Sequence, residues 1–484
     1  MNRVLIVGAG FAGLGMAIRL KRAGIDDFVV LEQADEVGGT WRDNHYPGAA
    51  CDVESLLYSY SFEPNQQWTR AFAPQAEILQ YLVRCADKYG VREHIRFRTS
   101  VVGAQFDEDA AAWEIQIAGG ETIRARIVVS ACGPFSHPAS PDVPGLATFR
   151  GKVFHSARWD HAFPVDGKRV AVIGTGASAI QIVPAIAPRV ARLYVLQRTP
   201  PWIVPKADRP FGAVERALFR LVPALQGLVR RAIYWKREAL ALGFVVEPRI
   251  MKMLGRIAMR YLRASVSDPS LRAKVTPNYT MGCKRVLPTN DWFRTLQSPN
   301  VELVTDAISE VRANGIATCD GQERQIDAIV LATGFDAAEQ KAPFDVRGRA
   351  GQDLNEVWRE GAEAYLGTAV SGFPNLFLLV GPNTGLGHSS MIFMIESQLA
   401  YVMSAIETMR SRKLRMVHVL PEVQRRYNDR IQNRLKGTVW SSGCTSYYRM
   451  RGSGKNTTIW PGFTFEFRMR TRRFDVASYE TASL

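Results

Sequence analysis

The stretch Val4-Leu5-Ile6-Val7-Gly8-Ala9-Gly10-Phe11-Ala12-Gly13 sets an apolar strand directly before a G-x-G-x-x-G turn, and helix-like sequence follows from Leu14 to Lys21. Glycines allow the tight turn and bring backbone N–H groups against a pyrophosphate at the N-terminus of the following helix. Alone, this pattern is weak evidence for any particular reaction. Glu32 strengthens it, because it ends the next apolar run, Phe28 to Leu31, where an acidic side chain meets a ribose hydroxyl. A carboxylate there disfavours a 2′-phosphate. FAD is therefore the expected ligand, held by Gly8, Gly10, Phe11, Ala12, Gly13 and Glu32.

A second loop, Gly174-Thr175-Gly176-Ala177-Ser178-Ala179, follows the strand-like run Arg169 to Ile173. Ala179 replaces the third glycine, a small-residue variant of the same turn. After the next strand, Arg192 to Leu196, stand Arg198 and Thr199 in place of an acidic residue. A guanidinium at that point suits a 2′-phosphate, so NADPH is the second expected nucleotide.

Strands alternate with helical stretches through both loops. This predicts an α/β fold of two Rossmann-like dinucleotide-binding domains with parallel sheets covered by helices. The FAD-binding domain is expected in two parts, 1–145 and 337–484, and the NADP-binding domain in two parts, 146–205 and 281–336, around a helical insert at 206–280. Arg124 to Cys132 reads as one returning strand, and Pro134, Pro138, Pro141 and Pro144 read as a linker. A later strand, Leu376 to Val380, leads to Gly381-Pro382-Asn383 and a helix through Glu396, which is expected to set an Asn383-containing loop beside the flavin.

The 484 residues, 46% hydrophobic, suffice for two or three domains. No apolar run is long enough to span a membrane, and the first strand starts too early to leave room for a signal peptide. Six cysteines lie scattered without a C-x-x-C pair, which argues against a disulfide scaffold, a zinc site or a flavin disulfide reductase. A reduced, cytoplasmic setting follows as the expectation. The net charge is +15, and residues 205–275 hold fifteen Lys or Arg against five Asp or Glu. In that stretch Val214, Leu218, Leu221, Leu225, Leu228 and Val229 recur at helical spacing, so the basic residues are expected on the wet faces of amphipathic helices. No zinc-finger spacing or aromatic RNA-binding motif accompanies them, which excludes nucleic acid as the expected partner. Contact of the basic insert with a membrane surface stays open, without stable insertion.

Between the two glycine loops, Phe149, Gly151, His155, Trp159 and Asp160 spell F-x-G-x-x-x-H-x-x-x-W-D. Upstream, Gly38-Gly39-Thr40-Trp41, Tyr46-Pro47-Gly48 and Asp52 spell G-G-x-W-x-x-x-x-Y-P-G-x-x-x-D, and Gly282-Cys283-Lys284-Arg285 stands far downstream. Together these motifs resemble those of type I Baeyer-Villiger monooxygenases, over nearly the whole chain. Arg42 and Asp43, where relatives often carry aromatics, and His45, where arginine is usual, depart from the pattern.

The resemblance implies that NADPH reduces FAD, that O2 then gives a C4a-peroxyflavin, and that this inserts oxygen beside the carbonyl of a hydrophobic ketone. It places the required cation on Arg285, held by Asp52, and Lys284 against the NADP 2′-phosphate. It adds Gly39, Thr40, Trp41, Tyr58, Val101 and Met391 to the FAD contacts. His155 reads as a structural hydrogen-bonder and Trp159 as linker packing. The C-terminal Trp440, Tyr447, Tyr448, Trp460 and Phe463 read as an ordered aromatic loop that either walls the substrate pocket or buries the chain end. One alternative is a flavin monooxygenase acting on nitrogen or sulfur, whose linker lacks the Trp159-Asp160 ending. Another is an electron-transfer flavoprotein, which needs no cation such as Arg285 over its flavin.

Overall fold

The computed structural model describes residues 4–135, 138–336, 341–444, 446–450 and 452–483. Val4–Val7 is buried at every position, as a strand covered on both faces must be. It lies in an all-parallel sheet with the order Leu376–Leu378, Ile127–Ser130, Val4–Val7, Phe28–Leu31, Ile95–Arg96. A second all-parallel sheet has the order Val301–Val304, Arg192–Leu196, Arg169–Ile173, Ala328–Leu331, Lys152–His155. The expected α/β architecture with two dinucleotide-type units is therefore present. Helices Phe11–Arg22 and Ala179–Ile186 follow the first strand of each unit's glycine loop.

The single strand expected from Arg124 to Cys132 is two strands in different sheets. Thr122–Ala125 alternates exposed and buried residues in a four-stranded mixed sheet, whereas Ile127–Ser130 is buried throughout in the parallel sheet. The helix expected to end at Glu396 runs from Met391 to Ser411, because buried apolar residues continue through Met409 with no breaker.

The insert leaves and re-enters the second unit through a short parallel pair, Ile203–Val204 with Leu287–Pro288. Its helices are Ala213–Leu221, Pro223–Ala241, Pro248–Ser265 and Pro269–Lys274. The expectation holds for Pro248–Ser265, which buries Met251, Ala258 and Leu262 and exposes Arg249, Lys252, Arg256, Arg260 and Arg263. It holds for Leu225 and Val229, which pack against the core, and fails at the other four apolar positions. Val214, Leu218, Leu221 and Leu228 point outward, with Leu221 77% exposed. The inward face of Pro223–Ala241 is mixed, with Leu225, Val229, Ile233 and Tyr234 packed against the core and polar side chains beside them. Gln226 donates to Asn65 O, Arg230 to Leu56 O and Ser59 O, and Arg237 to Asp52 O. Those polar side chains meet a loop whose backbone carbonyls need donors, so polar groups rather than leucines fit against it.

Candidate active site

Each unit carries one glycine loop between a strand and a helix, and the reason for each glycine differs. Gly8 has φ +101°, and a Cβ there would lie 2.8 Å from Ala131 O. A Cβ on Gly13 would collide with Gly8 O at 1.8 Å, so this glycine serves close helix–strand packing. Gly10 is unlike both, since its Cβ would meet only Gly39 atoms at ordinary contact distance. The second loop repeats the scheme. Gly174 has φ +113° and would clash with Ala332 O, while a Cβ on Gly176 would meet no protein atom within 4 Å. Protein packing therefore leaves Gly10 and Gly176 free to be any small residue. The helices that follow lack side-chain caps at Gly10 and Ser178, so no capping side chain takes up their first N–H groups. Phe11 and Ala12 lie buried in the first turn of one helix; exposed Ala177 precedes the N-cap of the other, and Ala179 opens it.

Glu32 is buried and already engaged. Its carboxylate accepts from Ala9 N at 2.8 Å and Ala34 N at 3.0 Å, and pairs with Arg42 at 3.0 Å. A carboxylate offers about four acceptor sites, so one remains for a sugar hydroxyl. Arg42 thus has a partner in Glu32. Val101 begins a strand two residues beyond Thr99, whose N–H donates to Glu32 O.

Around the turn at Gly39, the short helix Thr40–Asp43 carries Trp41. Trp41 Nε1 donates to Tyr58 OH at 3.2 Å, and the Tyr58 ring meets Trp41 and Phe11 edge-on at 5.6 and 5.4 Å. Burial drives the Tyr58 hydroxyl well above its ordinary pKa, so it remains protonated. Met391 opens its helix beside this group, and its N-cap Ser390 donates to Leu57 O. Asn383 does not turn toward this group. Its side chain donates to Asn456 O and Ile459 O, fastening the C-terminal segment.

Asp52 and Arg285 form a two-pronged pair, with Arg285 Nε donating to Asp52 Oδ2 at 2.7 Å and Nη2 to Oδ1 at 2.8 Å. Burial would raise the Asp52 pKa, but Arg285 outweighs it, helped by Arg237 and Lys206, and the carboxyl titrates below its usual range. Asp52 in turn raises the Arg285 pKa beyond any accessible pH. The arginine is 31% exposed, so part of its guanidinium faces open space rather than protein. Tyr447 and Tyr448 also lie close enough to favour its charge.

Lys284 and Arg198 converge at the edge of the second loop. Burial lowers the Lys284 pKa, and Arg198 lowers it further. Lys284 sits over the Tyr279 ring at 4.9 Å. Among the described residues no carboxylate pairs with either cation. Thr175 ties the loop to the next turn by donating to Thr199 O at 3.0 Å.

The linker residues are structural in their contacts. His155 accepts from Ala157 N at Nδ1, which leaves Nε2–H to donate to Gly334 O at 3.1 Å. Trp159 packs on Phe154 in the second core. Gly151 is required because a Cβ would overlap Asp327 O and the Phe149 ring.

Several residues of the site escaped the sequence reading. Gln181 bridges Ala50 and Tyr46 between the units, Arg237 reaches Asp52 from the insert, and Lys206 adds a nearby cation. Only Gly48, with φ +82° and a Cβ that would strike Gln181 O, hinted at such a contact. Cys283 and Cys444 are disulfide-bonded across 161 residues, which corrects the expectation that the cysteines stay unpaired. The fold brings their Cα atoms to 6.2 Å, a proximity that spacing along the chain does not encode. In the C-terminal segment Trp440 stacks on Phe244 of the insert at 5.5 Å and Trp460 is fully buried, while Tyr447 stays exposed near Arg285. The segment thus both buries the chain end and borders the arginine.

Two strand–glycine loop–helix units on all-parallel sheets, with a carboxylate-held arginine, are the features of a two-dinucleotide α/β oxidoreductase. Residues 5–212 match the family described as Pyridine nucleotide-disulphide oxidoreductase. A Baeyer-Villiger monooxygenase of Pseudomonas aeruginosa is 50% identical over 99% of this chain and 91% of its own length. Another from Streptomyces coelicolor is 49% identical over 99% and 92%. Among solved structures, a closed cyclohexanone monooxygenase superposes with a TM-score of 0.90 at 28% identity, covering 100% of this chain and 99% of the other. An oxidized steroid monooxygenase bound to NADP gives 0.88 at 30% identity, covering 100% of both chains. OTEMO in complex with FAD and NADP gives 0.88 at 28%, covering 99% of both. The chain belongs to the Baeyer-Villiger monooxygenase family.

Proposed function

We propose that this protein uses NADPH and O2 to insert one oxygen atom beside the carbonyl of a hydrophobic ketone, giving an ester or lactone, with Arg285 as the catalytic cation. The other oxygen atom leaves as water and NADPH supplies the two electrons. FAD and NADPH are the cofactors, and the bound flavin, once reduced, supplies the activation of O2. FAD fits the loop of Gly8, Gly10 and Gly13, with Glu32 on its ribose side and Gly39, Thr40, Trp41, Tyr58, Val101 and Met391 around its length. NADPH fits the loop from Gly174 to Ala179, with Arg198, Thr199 and Lys284 at its 2′-phosphate.

The observation that carries this reading is the Asp52–Arg285 pair. Asp52 fixes the guanidinium plane by two parallel charge-assisted hydrogen bonds along one edge, and the side chain stays 31% exposed. Arg285 then presents a positive charge that no physiological pH removes, preorganised for negative charge that develops near it. A pure electron carrier has no use for this arrangement. Loss of one such preorganised donor costs about a hundred- to a thousandfold in rate.

The test is product mass after FAD-loaded protein is given NADPH, O2 and a panel of ketones, amines and sulfides. Esters or lactones that vanish with Arg285→Ala, while the variant stays yellow, support the assignment. N-oxides or sulfoxides alone, or hydrogen peroxide alone, would overturn it.

A further inference from the structure

The insert buries one set of apolar residues and leaves a second set outside. Of the fifteen large hydrophobic residues exposed among the described residues, ten lie in the insert, and Phe465 and Met469 lie on the adjoining helix Thr464–Arg470. On Pro223–Ala241 the exposed Leu228 and Trp235 are seven residues apart and continue to Leu242, which makes one stripe along one face. The Trp235 ring meets Phe465 at 6.2 Å, so the stripe runs on into the C-terminal helix. Packing within the molecule leaves these positions uncovered, since the inward side of the same helix is made by Leu225, Val229 and Ile233 together with Gln226, Arg230, Arg237 and Glu238.

The charge around the stripe has one sign. Arg220, Arg231, Lys236, Arg468 and Arg472 are exposed beside it. The carboxylates on the same helices are taken up, Glu215 by Arg209, Glu238 by Thr464 in the interior, and Glu466 by Arg434. We propose that this face docks on an anionic lipid bilayer, lying in the interface with Trp235 and Leu228 among the headgroups and the surrounding cations on lipid phosphates. An exposed apolar face ringed by arginine and lysine is the pattern of a helix that lies on a membrane. No helix among the described residues is long and apolar enough to cross one. A second copy of the chain fits less well, because it would set these cations against their own kind. Nucleic acid would leave the leucines and the tryptophan without a partner.

Co-sedimentation of the FAD-loaded full chain with vesicles tests this, using phosphatidylcholine alone and phosphatidylcholine mixed with phosphatidylglycerol. Binding is expected only to the mixed vesicles, and it weakens as salt shortens the Debye length. The variant Trp235→Ser with Arg231→Glu changes two exposed side chains, keeps turnover of a soluble ketone, and lowers the bound fraction about tenfold. Absence of binding to mixed vesicles, or binding that the variant leaves unchanged, overturns the proposal. Dimers seen by light scattering that the variant dissolves, without vesicle binding, would assign the face to a second copy instead.

Discussion

Gln181 and Ala50 exchange two hydrogen bonds, Gln181 Nε2 to Ala50 O and Ala50 N to Gln181 Oε1, both at 3.1 Å. The first residue belongs to the helix of the second nucleotide loop and the second to the Tyr46–Asp52 segment of the first unit. Tyr46 OH donates to the same amide oxygen. Gln181→Ala should therefore loosen the two units without touching either cradle. Three lost hydrogen bonds predict a destabilisation of about 1–3 kcal/mol, read as a lower thermal midpoint, together with a raised KM for NADPH. Midpoint and KM unchanged from the parent would show that the contact carries no coupling.

Gly176→Ala separates folding from binding. The added methyl meets no protein atom, so thermal stability and FAD content should match the parent. The backbone could no longer come as close to a pyrophosphate, and KM for NADPH should rise about tenfold or more. Equal NADPH affinity would mean that the ligand does not approach at Gly176.

Burial and the nearby Arg198 charge both lower the Lys284 pKa, and no carboxylate among the described residues pairs with either cation. Such a pair is electrostatically unfavourable until an anion joins it. Arg198→Ala and Lys284→Ala should each raise KM for NADPH by about ten- to a hundredfold and leave KM for NADH nearly unchanged. A parallel rise for both nucleotides would remove the 2′-phosphate from this place.

Between the units His45 Nδ1 and His161 Nε2 lie 2.7 Å apart, with the rings stacked at 4.8 Å. One ring donates and the other accepts, so the contact needs at least one neutral imidazole. Burial lowers the His45 pKa first, and His161 lowers it further. A folded pKa below the unfolded value of about 6.5 means that the unfolded chain binds more protons near and below that pH. Stability from this pair is therefore full above about pH 7 and is lost as pH falls through the folded value. Thermal midpoints measured from neutral to acid should fall more gently in His161→Gln than in the parent, and equal slopes would refute the coupling.

Both nucleotide loops were legible because their information is local: a strand, a turn that only glycine tolerates at Gly8 and Gly174, and a helix within twenty residues. Arg285 and Asp52 were legible only through resemblance, since 233 residues separate them in sequence. The insert was read correctly as helical but its exposed leucines were misplaced, for a physical reason. The spacing of Val214, Leu218, Leu221 and Leu228 gives the period of a helix, and period alone does not say which face meets the rest of the molecule. That choice was made by the backbone carbonyls of Asp52, Leu56, Ser59 and Asn65, which no pattern within the insert reports. Gln181 was missed likewise, because its partners lie on another unit.

The bond between Cys283 and Cys444 makes a closed ring of everything between them, and Arg285 sits two residues inside the closure. The ring contains the end of the second nucleotide unit, its return to the first, and the long helix Met391–Ser411. A protease nick anywhere along it would leave both fragments attached to each other until a thiol reagent is added. A standard reductant in a purification buffer is therefore a silent variable, because it decides whether Arg285 is tethered to the aromatic segment or only packed near it.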